Sequence, residues 1–160
     1  GVPGVYTHGA LGLSNNPRLV EETGIKRDIN RGSIDSDYFA EQLADPTSKR
    51  SLLQQEFAGM GVIRTRNRAF HPQGEQRVFD ESPDVFAVLR ISPEGNRRVL
   101  SLISVTQGAT RFEVAASKLG VQGALWKDLI SGREVAVTGG RLLMDLDPYA
   151  VVWLTPADEA

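Results

Sequence analysis

The densest group of reactive side chains is Gly24-Ile25-Lys26-Arg27-Asp28-Ile29-Asn30-Arg31, where six consecutive positions hold three cations, a carboxylate and an amide. A planar guanidinium fork matches a carboxylate or phosphate through two parallel N–H bonds. Asp28 can orient one of those cations. From the residues alone two readings stand: a loop that recognises an anion, or an exposed connection laced by ion pairs. His8 and Tyr6 come just after a strand predicted over Val2–Tyr6. In a parallel α/β barrel the carboxyl ends of the strands carry the ligand. Outside a barrel, His8 reads as a structural hydrogen-bonding group.

Other chemistry is poorly supported. Asp145 and Asp147 are two apart and can share a strand face, but Asp147-Pro148 has the composition of a turn. Asp80, Glu81 and Asp84 surround Pro83 as in a solvated loop. The only histidines are His8 and His71, too separated in context to form a metal site by themselves. No Gly-x-Ser-x-Gly elbow occurs and cysteine is absent, so disulfides and thiolate metal sites are excluded. No catalytic residue, metal or cofactor is expected from this chain.

Composition narrows the partners. Eighteen Lys and Arg against 20 Asp and Glu give a net charge of -2, without the basic surplus of a nucleic-acid binder. No apolar run approaches the ~18 residues of a membrane span, so neither nucleic acid nor membrane is expected as a partner. The lack of cysteine fits a reducing compartment, and a cytoplasmic location is expected.

These residues must be held by three kinds of segment. Short helices are predicted over Pro17–Glu22 and over Ser36–Leu43, the latter capped by Asp35 or Ser36. A long helix is predicted over residues 45–68, with Asp45 as cap, Pro46 in its first turn, and Leu52, Leu53, Phe57, Met60 and Ile63 as its apolar stripe. Gly59 and Gly61 weaken its middle. From His71 onward the period becomes strand-like, with strands expected at Gln76–Phe79, Val85–Ile91, Arg98–Val105, Thr110–Val114, Leu125–Asp128, Glu134–Val137, Arg141–Asp145 and Tyr149–Leu154. Turn signals such as Ser131-Gly132 and Gly139-Gly140 separate them, the pattern of an antiparallel sandwich. Trp126 and Trp153 lie in apolar strand patterns and are expected to be buried.

Three motifs taken together resemble the C-terminal part of sucrose phosphorylase and its close relatives in the α-amylase superfamily. They are Gly1-Val2-Pro3-Gly4-Val5-Tyr6, then Gly9-Ala10-Leu11-Gly12 with Asn15-Asn16, then Arg27-Asp28-Ile29-Asn30-Arg31. The likeness extends through Phe70-His71-Pro72 to a closing Tyr149-Ala150-Val151-Val152-Trp153-Leu154. It implies an α/β fragment from the end of a (β/α)8 barrel followed by a small all-β antiparallel sandwich domain. Residues 1–70 would be the end of the barrel, with Val2–Tyr6 its last strand and residues 49–68 its final helix. Residues 71–160 would be the β domain.

The resemblance also implies chemistry. The family cleaves an α-glucoside through a glucosyl-enzyme, using an Asp nucleophile, a Glu acid/base and a second, stabilising Asp. Phosphate then releases α-glucose 1-phosphate. All three carboxylates lie upstream of the last barrel strand, so this chain alone is expected to be inactive. Its partners would be an α-glucoside, inorganic phosphate and the missing N-terminal part of the barrel. Arg27 resembles the residue that holds phosphate or the leaving sugar; His8 and Arg31 are further substrate-binding candidates. Lys26 stands where many relatives have Gly, and Asn16-Pro17 where many have Asn-Asp. Both changes touch acceptor choice, leaving sucrose, glucosylglycerol, glucosylglycerate and phosphorylated sucrose open. A glycoside hydrolase fragment, or a non-catalytic carbohydrate-binding or domain-packing β module, are the alternatives.

Overall fold

The computed structural model describes residues 4–120 and 125–159. The chain divides into two compact units, residues 2–61 and residues 62–160, with the division inside a helix.

The second unit is built on eight strands: β1 (Glu75–Phe79), β2 (Val85–Ile91), β3 (Arg98–Ser104), β4 (Thr110–Ala115), β5 (Leu125–Asp128), β6 (Glu134–Thr138), β7 (Arg141–Leu146) and β8 (Val151–Pro156). They pair antiparallel in the order β1-β2-β3-β8-β5-β6-β7-β4. The expected sandwich of two sheets is therefore corrected to one continuous curled sheet. The reason lies in β6, whose first half pairs with β5 through Trp126↔Val135 and whose last residues pair with β7 through Val137↔Leu142. Curling lets the inner faces of both ends share one core, in which Leu89, Leu100, Trp126 and Leu154 meet Phe112, Val114, Leu142 and Met144. Between β6 and β7, Gly139 and Gly140 have φ of 59° and 73°, the left-handed pair that a two-residue hairpin requires.

Strand β2 is buried on both faces over most of its length. Ala87 and Leu89 face the core, while Val88 and Arg90 are also covered. A 3-10 turn at Arg68–Phe70 packs on this side, with the Phe70 ring 4.8 Å from Trp153. The buried Arg90 guanidinium donates to the His71 carbonyl at 2.7 Å and to Gln76 Oε1 at 3.0 Å. Asp128, also buried, accepts from the backbone N–H groups of Trp153, Ile130 and Ser131, tying the β5–β6 turn to β8. A buried carboxylate is tolerated only when its lone pairs are taken up in this way.

The first unit holds α1 (Thr7–Ala10), α2 (Pro17–Thr23), α3 (Ser36–Ala44) and most of α4 (Lys49–Arg66). Val2–Tyr6 is not seen as a strand: Gly4–Tyr6 carry no regular structure, and Val2 and Pro3 lie outside the described residues. The long helix begins later than expected. Asp45 instead ends α3 and accepts from Thr47, while Ser48 Oγ takes the Ser51 N–H at 3.0 Å and caps α4. Pro46 thus sits in the connecting turn, and α4 runs unbroken through Gly59 and Gly61. Its apolar stripe does not form a core here. Leu52 and Phe57 are 51% and 44% exposed.

Candidate anion-recognition loop

Local chemistry in the first unit builds the site from α2 onward. Asn16 Oδ1 accepts from the Leu19 N–H at 3.0 Å, Pro17 occupies the first helical position, and Gly24 closes the helix with its N–H on the Val20 carbonyl. This ending turns the chain into a 3-10 turn at Lys26–Asn30, which carries the cationic cluster.

The turn is organised by Asp28, one of two buried polar residues among those described in this unit. Thr23 Oγ1 lies 2.9 Å from Asp28 Oδ2 and within 2.8 Å of the Leu19 carbonyl, so its hydroxyl ties the helix end to the loop. Arg31 Nη1 stands 2.9 Å from Asp28 Oδ1, an ion pair without hydrogen-bond alignment. Arg31 is therefore a brace of the loop. Arg27 and Lys26 are exposed, and among the described residues no carboxylate or hydrogen-bond acceptor engages either side chain. Within the loop, Asp28 and Arg31 form an ion-paired connection, while Lys26 and Arg27 are without such a partner among the described residues.

Segment 6–16 lies beside the end of this loop. The Tyr6 and His8 rings stack at 5.5 Å, and the Tyr6 hydroxyl is 3.5 Å from the Asn30 carbonyl. The Asn16 N–H donates to the Ile29 carbonyl at 2.7 Å. Gly32 makes the approach possible, since a Cβ there would stand 2.6 Å from the Ser14 carbonyl oxygen and 3.9 Å from His8 Cε1. His8 and the Arg27–Arg31 segment are thus brought into one neighbourhood by backbone contacts.

The remaining candidates lie elsewhere. His71 organises its own turn, its Nδ1 accepting from the Gln73 N–H. Asp145 pairs with Arg111 at 2.6 Å on the outer side of β7, and that bond holds its carboxyl below the usual range. Asp147 begins a turn closed by the Ala150 N–H. Trp126 and Trp153 are both buried, as their strand patterns predict. The sequence reading missed Thr23; its position immediately before the capping Gly24 and five residues ahead of Asp28 was the available signal.

Comparison with known proteins finds relatives along nearly the whole chain. Glucosylglycerate phosphorylase of Spirochaeta thermophila is 35% identical over 161 residues, covering 98% of the chain and 27% of that protein. Proteins of the same name from Allomeiothermus silvanus and Escherichia coli are 32% and 27% identical, each over 96% of the chain. The chain is thus similar to part of these phosphorylases along nearly its whole length. It spans about a quarter of the length of the curated relatives it matches. Among solved structures, AmyP in complex with maltose has a TM-score of 0.62 at 16% identity, over 78% of the chain and 28% of AmyP. An Anoxybacillus α-amylase has a TM-score of 0.60 at 12% identity, over 79% of the chain and 25% of that protein. At such identities the likeness is one of fold. No family model matches the chain.

Proposed function

We propose that the chain is the C-terminal segment of a retaining α-glucoside phosphorylase, a barrel end followed by a β domain, and that Arg27 serves its acceptor side. The observation that carries this reading is the similarity to glucosylglycerate phosphorylases over 98% of the chain. The exposed apolar face of α4 supports the barrel part of the reading, because a helix with such a stripe buries it against another element. The catalytic carboxylates belong to the part of the enzyme that precedes this segment.

On this reading Arg27 and Lys26 supply the positive potential that an incoming phosphate needs beside a carboxylate-rich centre. The guanidinium holds the phosphate while one of its oxygens attacks the anomeric carbon of the glucosyl-enzyme and the enzyme carboxylate leaves. Thr23 and Asp28 act by holding the loop, and Arg31 by bracing it. Two adjacent uncommitted cations also fit an acceptor with its own negative charge, so we place the substrate among glucosides of hydroxy acids, as in the named relatives, ahead of sucrose. His8, stacked on Tyr6, would border the same acceptor.

The test is the phosphate dependence of the whole enzyme. Glucosylglycerate should yield α-glucose 1-phosphate and glycerate only when inorganic phosphate is supplied. Release of free glucose at the same rate without phosphate would leave a hydrolase and defeat the proposal.

A further inference from the structure

A second cationic position lies in the first unit, apart from the Arg27 loop. Segments 13–16 and 32–35, together with Tyr38 and Arg50, enclose an open cavity of about 390 Å³. Arg50 stands in the first turn of α4, its guanidinium 5.7 Å from the centre of the Tyr38 ring. Its Nε is enclosed, so the terminal Nη groups are the donors that can meet a ligand in the cavity, and no acceptor engages them among the described residues. The one carboxylate in the lining, Asp35, does not neutralise it. Asp35 is committed to α3, where its Oδ1 accepts the N–H groups of Asp37 and Tyr38 at 3.0 and 2.9 Å, and no ion pair joins it to Arg50 within the described residues. Asn15 and Ser33 add an amide and a hydroxyl to the same wall.

A cation held over an aromatic face keeps a fixed position, and a guanidinium so held presents parallel donors to an oxyanion. We infer that this cavity is a second anion site, in which Arg50 binds the carboxylate or phosphate of a small ligand while Asn15 and Ser33 meet its remaining oxygens. The inference does not depend on the reading of Arg27, because its residues are different and its readout is binding.

Equilibrium binding to the whole enzyme tests it, with inorganic phosphate and glycerate as separate probes. In an Arg27→Ala background, one saturable site for at least one probe should remain, and whichever probe binds identifies the oxyanion. Adding Arg50→Gln should weaken that site at least tenfold. Asn15→Ala, a change at an exposed position, should weaken it about threefold without moving the melting temperature, which separates ligand loss from misfolding. The inference is overturned if the Arg27→Ala enzyme binds neither probe. It is equally overturned if the Arg50→Gln and Asn15→Ala changes leave binding intact, or if Arg50→Gln lowers only the melting temperature, as expected were Arg50 paired with a carboxylate elsewhere in the enzyme.

Discussion

The two units solve the problem of apolar side chains in opposite ways. In residues 62–160, β2, β3, β8 and β5 deliver aliphatic and aromatic groups into the same core as β4 and β7, and Phe112, Leu100 and Trp126 are completely enclosed. In residues 2–61 no apolar residue is buried among the described ones; the buried side chains are Asp28 and Ser51. Leu52, Leu53 and Phe57 repeat at helical spacing on α4 and remain exposed. Hydrophobic burial is the dominant favourable term in folding. The β unit therefore has its own source of stability, whereas the first unit relies on helix caps, the Asp28 network and glycine-mediated close approach. This contrast fits the proposal that a larger barrel covers α4.

The contrast is sharpest in paired truncations. Phe112→Ala should cost about 3–5 kcal/mol, as for other enclosed aromatic residues. Phe57→Ala in the same chain should stay within about 0.5 kcal/mol, the range of ordinary surface changes. Denaturant unfolding monitored by tryptophan fluorescence for the first, and by far-UV circular dichroism for the second, would measure both. A loss above 2 kcal/mol for Phe57→Ala in this chain would break the comparison. In the whole enzyme the same substitution should become clearly destabilising.

A smaller effect concerns the end of the β unit. Glu159 stands 3.0 Å from Arg98 Nε and accepts the Arg98 N–H at 2.7 Å, anchoring the Ala157–Glu159 turn to β3. Burial raises its pKa above the ordinary 4.5, and the charges of Arg98 and Arg97 only partly oppose that rise. Its folded form therefore holds the proton more tightly than its unfolded form. That contribution is present below pH 4.5 and is lost as pH rises through the folded value. Glu94 and Asp145 have lowered values, from bonds to Arg68 and Arg111, and contribute in the opposite sense, losing stability on acidification. Glu159→Gln, which mimics the protonated carboxyl, should match wild type in melting temperature below pH 4.5 and exceed it progressively as pH rises through the folded value. A pH-independent difference would remove the titration of Glu159 from the account.

Much of the β unit was legible because its information is local. Val85–Ile91 and Leu125–Asp128 coincide with β2 and β5, and β6–β7 turns at Gly139-Gly140 where left-handed geometry is required. What sequence could not supply was the partner of each strand. Short alternating strands are common to sandwiches and curled sheets, and the joint through β6 is a matter of register. On α4 the periodic stripe gave the helix, but Ser48 displaced Asp45 as its cap because Asp45 was already engaged by Thr47. In the loop, residue types alone could not separate Arg27 from Arg31. The separation depends on Asp28, which holds Arg31 and leaves Arg27 without a partner among the described residues. Gly32 and Thr23, which bring the pieces together, carry no chemical signature of their own.

The central claim is that Arg27 faces the phosphate acceptor of a glucosyl-enzyme. The direct measurement is to compare Arg27→Ala with the unaltered enzyme in two half-reactions, glucosyl-enzyme formation from glucosylglycerate and its discharge by phosphate. The account predicts a loss of about 10- to 100-fold in discharge, the scale of one lost charge-assisted contact, with formation changed by less than about threefold. Equal losses in both half-reactions would contradict it.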